Sequence, residues 1–257
     1  METQLFKGDC IEILKKLDAE TIDCCITSPP YDDLRNYNSI FNCEELATQL
    51  YRVLKKGGVV VWNVNDRIKN GTKSLTSFKQ AITFNQIGFN VNDVMIWKKK
   101  NPIPQVKQPR YNQCFEYMFI FSKGKPKTFN PIMVKCDNAN KNYNSTCKKA
   151  TKDNERQYKE FAINEEKVSD NIWEIAVAQN DTIHPAVFPL EMPMKHIETW
   201  TNKNDVVLDC FMGSGTTGIA CKLLKRNFIG IEIDDKYFNL AKKRIDNTLE
   251  QMEIWDF

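Results

Sequence analysis

The chain has 257 residues, of which 42% are apolar and 27% charged, with a formal net charge of +3. That length buries a full-sized core in roughly one to two domains, and the composition excludes a disordered protein. No apolar run approaches the roughly 18 residues of a membrane span. The N-terminal METQLFKGDCIEIL lacks the apolar stretch of a secretory signal, so the expected location is the cytoplasm, with no membrane partner.

In chain order, QLF reads as a strand leading into GDCIEILKKL, where Asp9 caps a helix with Ile11, Leu14 and Leu17 on one face. TIDCCI is a strand apolar enough to be buried on both faces, and it ends in Thr27-Ser28-Pro29-Pro30-Tyr31. A helix through ELATQLYRVLKK, stopped by Gly57-Gly58, precedes the strand GGVVVWNV. SLTSFKQAITFNQIG is a helix ending at Gly88; FNVNDVMIW and CFEYMFIFSKG are further strands. The alternation predicts an α/β fold, a doubly wound and mostly parallel sheet covered on both faces. Residues 123–170, polar and rich in Asn and Lys, break the rhythm and read as an insertion between an N-terminal half (1–122) and a C-terminal half (171–257). The pattern then resumes with a helix inside HPAVFPLEMPMKHIETW, the strand DVVLDC, the turn and helix FMGSGTTGIACKLLKRN, the strand FIGIEID and the helix KYFNLAKKRIDNTL.

Gly213-Ser214-Gly215-Thr216-Thr217-Gly218 fits GxGxxG between a strand and a helix, where glycines let backbone approach a ligand closely. Glu232 follows at the end of the next strand, 19 residues after Gly213, placed to accept from ribose hydroxyls. A nicotinamide dinucleotide is the obvious candidate, but its domain needs several more strands after the glycine loop, and only about 40 residues remain. The earlier strand–helix units must complete the sheet instead, a circular permutation of the usual order. Ser28-Pro29-Pro30 then ends a neighbouring strand, and ligands of doubly wound sheets bind at that edge.

Nine cysteines without a CxxC pair read as buried, reduced thiols, with Cys24, Cys25, Cys210 and Cys221 in apolar surroundings; the two histidines, His184 and His196, show no metal-ligand spacing. Charge is uneven. Residues 98–159 hold 15 Lys/Arg against 4 Asp/Glu, which suits either a surface for a polyanion or a solvated lysine-rich face.

TSPPY, a central variable region, HPAVFP, DCFMGSGTTGIA and FIGIEID, in that order, resemble the beta class of amino-methylating DNA methyltransferases. The resemblance implies S-adenosylmethionine as cofactor and duplex DNA as substrate. It implies that Phe211, Gly213, Ser214, Gly215 and Thr216 wrap the methionine portion, with Asp209 at the head of the same motif a further cofactor contact and Glu232 on the ribose. It implies further cofactor contacts from Asp9 near the adenine and from His184, Phe188 and Pro189 at the methionine tail. Ser28, Pro29, Pro30 and Tyr31 take the catalytic role: carbonyls and a hydroxyl accept from the target amine, and the ring stacks on an extruded base. Serine before Pro-Pro more often accompanies cytosine N4 than adenine N6 in this family, so N4-cytosine is the expected target and N6-adenine the alternative. Lys98, Lys99, Lys100, Lys107 and Arg110 are the candidate phosphate contacts, and 123–170 the candidate recognition region. Two associations complete the expectations: a separate cognate restriction endonuclease, because the chain is too short to carry a nuclease beside the methylase, and a homodimer, because members of this class often dimerise.

Overall fold

A computed structural model describes residues 2–30, 41–102, 109–137, 142–147, 157–162, 164–177 and 189–252. Tyr31, Lys107, His184 and Phe188 lie outside the described residues. In chain order the first elements are β1 (Thr3–Lys7), α1 (Cys10–Leu14), β2 (Ile22–Thr27), α2 (Cys43–Val53), β3 (Leu54–Val64), the short strands β4 (Ile68–Lys69) and β5 (Thr72–Lys73), α3 (Thr76–Ile87), β6 (Asn90–Lys99) and β7 (Phe115–Ser122). They continue with β8 (Met133–Lys135), β9 (Asn142–Cys147), β10 (Gln157–Ala162), β11 (Glu166–Val168), β12 (Ile172–Ile175), α4 (Glu191–Trp200), β13 (Val206–Asp209), α5 (Thr216–Leu223), β14 (Asn227–Glu232) and α6 (Asp235–Met252).

Eight strands make one sheet in the order β1-β14-β13-β2-β3-β7-β6-β12. The strand pairs are parallel except where β7 meets β3 and β6. The sheet is therefore doubly wound and mostly parallel, with β13 and β14, the strands on either side of the glycine motif, last in sequence but inside the sheet. No helix separates β6 from β7 among the described residues, and the chain returns antiparallel.

Strands β2 and β3 are almost wholly buried, as continuous apolar runs between two helical layers should be. On one side an aromatic group fills the space under α3: Phe84 stacks on Phe121 at 4.5 Å, with Trp62 at 4.9 Å from Phe84. Asp9 caps α1 through bonds from the Ile11 and Glu12 N–H groups, and Asn42 caps α2 through Glu45 N–H. Gly88 ends α3 in the left-handed conformation, as its place after NQI predicts.

One boundary differs from expectation. Helix α2 stops at Val53, four residues before the glycines, and Leu54 to Gly58 already belong to β3. The pairing of Leu54 with Ile22 and the bond from Lys55 Nζ to Asp23 at 2.7 Å draw this stretch into the sheet. Gly57 and Gly58 instead mark an irregular register, where an added Cβ would lie 2.9 Å from Lys127 and 2.9 Å from Leu54 respectively.

Residues Met1–Asn130 and Asn171–Phe257 form one compact unit and Pro131–Asp170 a second. Residues 123–130, expected in the insertion, lie in the first unit and are bonded into it: Lys127 N–H to Gly57 O at 2.9 Å and Asn130 N–H to Thr199 O at 2.8 Å. The second unit contains two antiparallel pairs, β8 with β11 and β9 with β10.

Candidate active site

Strands β1, β14, β13, β2 and β3 lie side by side and parallel, so the segments after them emerge at one sheet edge. In sheet order these are Gly8-Asp9, Glu232 with Asp234, Asp209 to Gly215, and Ser28 to Pro30. Residues separated by about 185 positions in sequence are thereby brought to adjacent strand ends.

Backbone bonds stitch the segments together. Gly8 N–H donates to Glu232 O at 3.0 Å, and Met212 N–H donates to Ile231 O at 2.9 Å. Gly213 and Gly215 have φ of 54° and 83°, a left-handed backbone that favours glycine. Arg244 of α6 steadies the turn from behind, its Nη1 donating to Ser214 O at 2.6 Å. Gly218, the last glycine of the motif, serves packing: an added Cβ would lie 2.4 Å from Ile245 and 2.7 Å from Phe228.

Glu232 accepts Gly213 N–H at 2.8 Å on one carboxylate oxygen and Asp234 N–H at 2.9 Å on the other. Each oxygen keeps acceptor capacity. Burial raises the Glu232 pKa, opposed by these backbone donors. Asp209 is 2% exposed. One of its oxygens accepts the Thr27 hydroxyl at 2.7 Å and Phe211 N–H at 3.1 Å, and the other accepts the Thr217 hydroxyl at 2.7 Å. Burial pushes its carboxyl up to about 6, against the three donors. The sequence motif places Asp209 among the cofactor contacts; the structure turns its carboxylate inward, onto the protein. Thr27 and Thr217 carry no spacing signal that would reveal this, since the Thr27 bond spans 182 residues.

Does this edge fit S-adenosylmethionine? Thr216 gives the clearest evidence. Its hydroxyl is buried, sits at the first position of α5, and has no hydrogen-bond partner among the described residues. It lies where a helix start presents unused N–H groups to an anion such as a carboxylate. Glu232 supplies acceptors for vicinal hydroxyls one strand away. The Phe211 ring packs against Phe41 at 5.3 Å and Trp62 at 6.4 Å, forming an apolar wall. Asp9 stands at the end of β1, with one carboxylate oxygen engaged in capping α1. Pro189 opens the turn into α4, its carbonyl accepting Met192 N–H at 3.0 Å. The donor set fits the cofactor.

The candidate phosphate contacts divide. Strand β6 is parallel to β3, so Lys98 to Lys100 reach the same edge, about 14 Å from β2 at about 4.8 Å per strand. Lys99 is spent locally: it pairs with Glu116 at 2.7 Å and lies over the Trp97 ring. Glu116 in turn accepts from Asn63 at 2.7 Å, which anchors the pair in the sheet. Lys98 pairs with Glu174 at 3.1 Å with both side chains about half exposed, and Lys100 is exposed. Arg110 donates to Gly71 O at 2.8 Å and braces the β4–β5 turn.

Buried Cys10, Cys24, Cys25, Cys210 and Cys221 have thiol pKa values raised by desolvation, which makes them poor nucleophiles.

Comparison with known proteins shows the family. A family model described as DNA methylase, for N6 and N4 methyltransferases, matches residues 22–243. The orphan methyltransferase M.BamHII of Bacillus amyloliquefaciens is 46% identical over 94% of this chain and 91% of its own length. The type II methyltransferase M.SmaI of Serratia marcescens is 26% identical over 94% of this chain and 90% of its own length. The crystal structure of the M1.HpyAVI–S-adenosylmethionine complex superimposes with a TM-score of 0.63 at 30% identity, covering 94% of this chain and 99% of that one.

Proposed function

The chain belongs to the N6/N4 DNA methylase family and uses S-adenosylmethionine, and on that premise we propose that it methylates the exocyclic N4 of a flipped-out cytosine in duplex DNA. Ser28 carries this reading. It stands before Pro29-Pro30 at the end of β2, beside the glycine loop. A serine hydroxyl can donate to cytosine N3, which an ionised aspartate at that position cannot.

An exocyclic amine is a weak nucleophile because its lone pair is delocalised into the ring. The cofactor supplies a methyl group on a sulfonium as the electrophile. The residues of the chain must then orient the amine. Two successive prolines fix φ and keep the segment out of a helix, leaving the Ser28 and Pro29 carbonyls to accept the amine N–H bonds and aim its lone pair at the methyl carbon. The Tyr31 ring stacks on the extruded base, worth about 1–3 kcal/mol. Removing the base from the duplex costs a few kcal/mol, which contacts to the strand must offset. No covalent enzyme intermediate forms; positioning and electrostatics carry the reaction.

Asp9, Pro189, Phe211, Gly213, Ser214, Gly215, Thr216 and Glu232 hold the cofactor in this reading. Lys98 and Lys100 meet phosphates, and the Pro131–Asp170 unit contributes target recognition. Kinship with a type II methyltransferase supports a place in a restriction–modification system with a separate endonuclease. Transfer of a labelled methyl group to unmethylated duplex DNA, compared with RNA of the same sequence, tests the reading. Label recovered as N4-methyldeoxycytidine is expected. Label only in N6-methyldeoxyadenosine overturns the choice of base, and label only in RNA overturns the substrate.

A further inference from the structure

Strands β2 and β13 are neighbours, yet their backbone pairing is confined to Val207 with Cys24 and Leu208 with Cys25. On its other side β2 stays paired with β3 as far as Thr27 and Trp62. The two strands that carry the Ser28 segment and the glycine loop are therefore not paired with each other at their ends, where ligands of doubly wound sheets bind. A side-chain bridge spans that gap. Thr27, 0% exposed, donates its hydroxyl to Asp209 at 2.7 Å, and the same carboxylate holds Phe211 N–H and the Thr217 hydroxyl of α5. The Cys210 thiol in turn donates to the Thr27 hydroxyl at 3.7 Å.

We propose that the Thr27–Asp209 bridge sets the distance between the Ser28–Pro29 backbone and the glycine loop, making Thr27 a positioning residue for methyl transfer. Thr27 immediately precedes Ser28, and Asp209 lies four residues before Gly213, so a shift at the bridge moves the two reacting partners relative to each other. A carboxylate suits this task because it accepts from both loops and from α5 at once, which no neutral side chain of its size can do. Glu232, Cys25, Cys210 and Cys221 are the other titratable groups facing it, and none of them is a cation. The carboxylate is thus held by hydrogen bonds rather than by an ion pair, and losing one donor alters the geometry directly. This inference rests on the reading that Ser28 and Pro29 hold the amine.

The test is the full-length protein with Thr27→Val, Thr27→Ser and Ser28→Ala, each assayed for cofactor affinity by calorimetry, for turnover at saturating cofactor and DNA, and for thermal unfolding. A misplacement of about 1 Å can cost on the order of 100-fold in rate. Thr27→Val is expected to lose at least about tenfold in turnover while cofactor affinity changes less than about threefold, and Thr27→Ser is expected to restore turnover. Two results overturn the bridge: wild-type turnover in Thr27→Val, or loss of turnover and cofactor affinity in proportion, with no rescue by serine. Ser28→Ala separates this from the underlying reading. If Ser28→Ala is impaired while Thr27→Val is not, only the bridge fails; if both turn over normally, the base contact given to the Ser28 hydroxyl fails with it.

Discussion

Glu232 receives one backbone N–H on each carboxylate oxygen, so its orientation is fixed before any ligand arrives. Preorganisation of this kind limits the ordering cost of binding. Glu232→Ala should weaken S-adenosylmethionine binding by tenfold or more, since hydrogen bonds to a charged group contribute about 1.5–3 kcal/mol, and isothermal calorimetry reads this directly. An unchanged dissociation constant would remove Glu232 from the site. At this scale the sequence is informative wherever a residue acts through local spacing. Gly213, Gly215 and Glu232 stand at fixed offsets from strand ends, and their positions follow from the motif. Thr27 is different: nothing in the residues around it announces a partner beyond 180 positions away, because that bond exists only once β13 lies beside β2. Lys99 is similar, since its charge looks free in the run Lys98-Lys99-Lys100 until β7 brings Glu116 alongside.

At the scale of elements, the strand–helix alternation and the caps specify most of what forms. Asp9 before α1 and Gly88 after α3 act where their chemistry predicts. The end of α2 was not legible, because Leu54 to Lys56 have helical propensity and the competing force is pairing with Ile22 across the sheet. The antiparallel course of β7 is likewise a matter of connection rather than composition. Gly218 illustrates an element-level constraint: α5 approaches Phe228 and Ile245 so closely that no side chain fits. Gly218→Ala should destabilise the fold by about 1–3 kcal/mol through overpacking, seen as a lower urea midpoint with little change in slope. Wild-type stability in that variant would contradict the packing described for α5. The lysines proposed to meet phosphates give a second contrast. Lys98→Gln with Lys100→Gln should reduce the salt slope of DNA binding by about 1–2, with affinity lost across all sequences. Lys99→Gln should chiefly cost stability, because it removes the cation paired with the nearly buried Glu116 carboxylate and leaves that charge to its hydrogen bonds.

For the molecule as a whole, two buried groups set opposing pH dependences. His196, fully buried against Trp173 and contacting Met118 Sδ at 3.3 Å, has its pKa lowered to about 3, first by burial and then by Lys195. The unfolded chain takes up that proton near pH 6.5, so stability falls as pH drops below 6.5. Asp209 works in the other direction: with its folded pKa near 6 and its unfolded value near 4, the folded state binds the proton first, and stability rises as pH falls through 6. Each contributes a slope of up to about 1.4 kcal/mol per pH unit, and they offset one another between about pH 6 and 4. Relative to wild type, His196→Phe should gain stability on going from pH 7 to 4.5, and Asp209→Asn should lose it. Parallel pH profiles for all three proteins, from urea titrations, would contradict the assignment of these groups.

In the proposed reading, five parallel strand ends carry the glycine loop and the Ser-Pro-Pro segment side by side to methylate a base amine. Mass spectrometry of nucleosides from the genome of a host lacking DNA methylation, expressing either the wild-type chain or Ser28→Ala, tests that claim most directly. N4-methylcytosine in the wild type and its loss in Ser28→Ala is the predicted result. N6-methyladenine as the sole product, or undiminished N4-methylcytosine in the variant, would contradict the role given to Ser28.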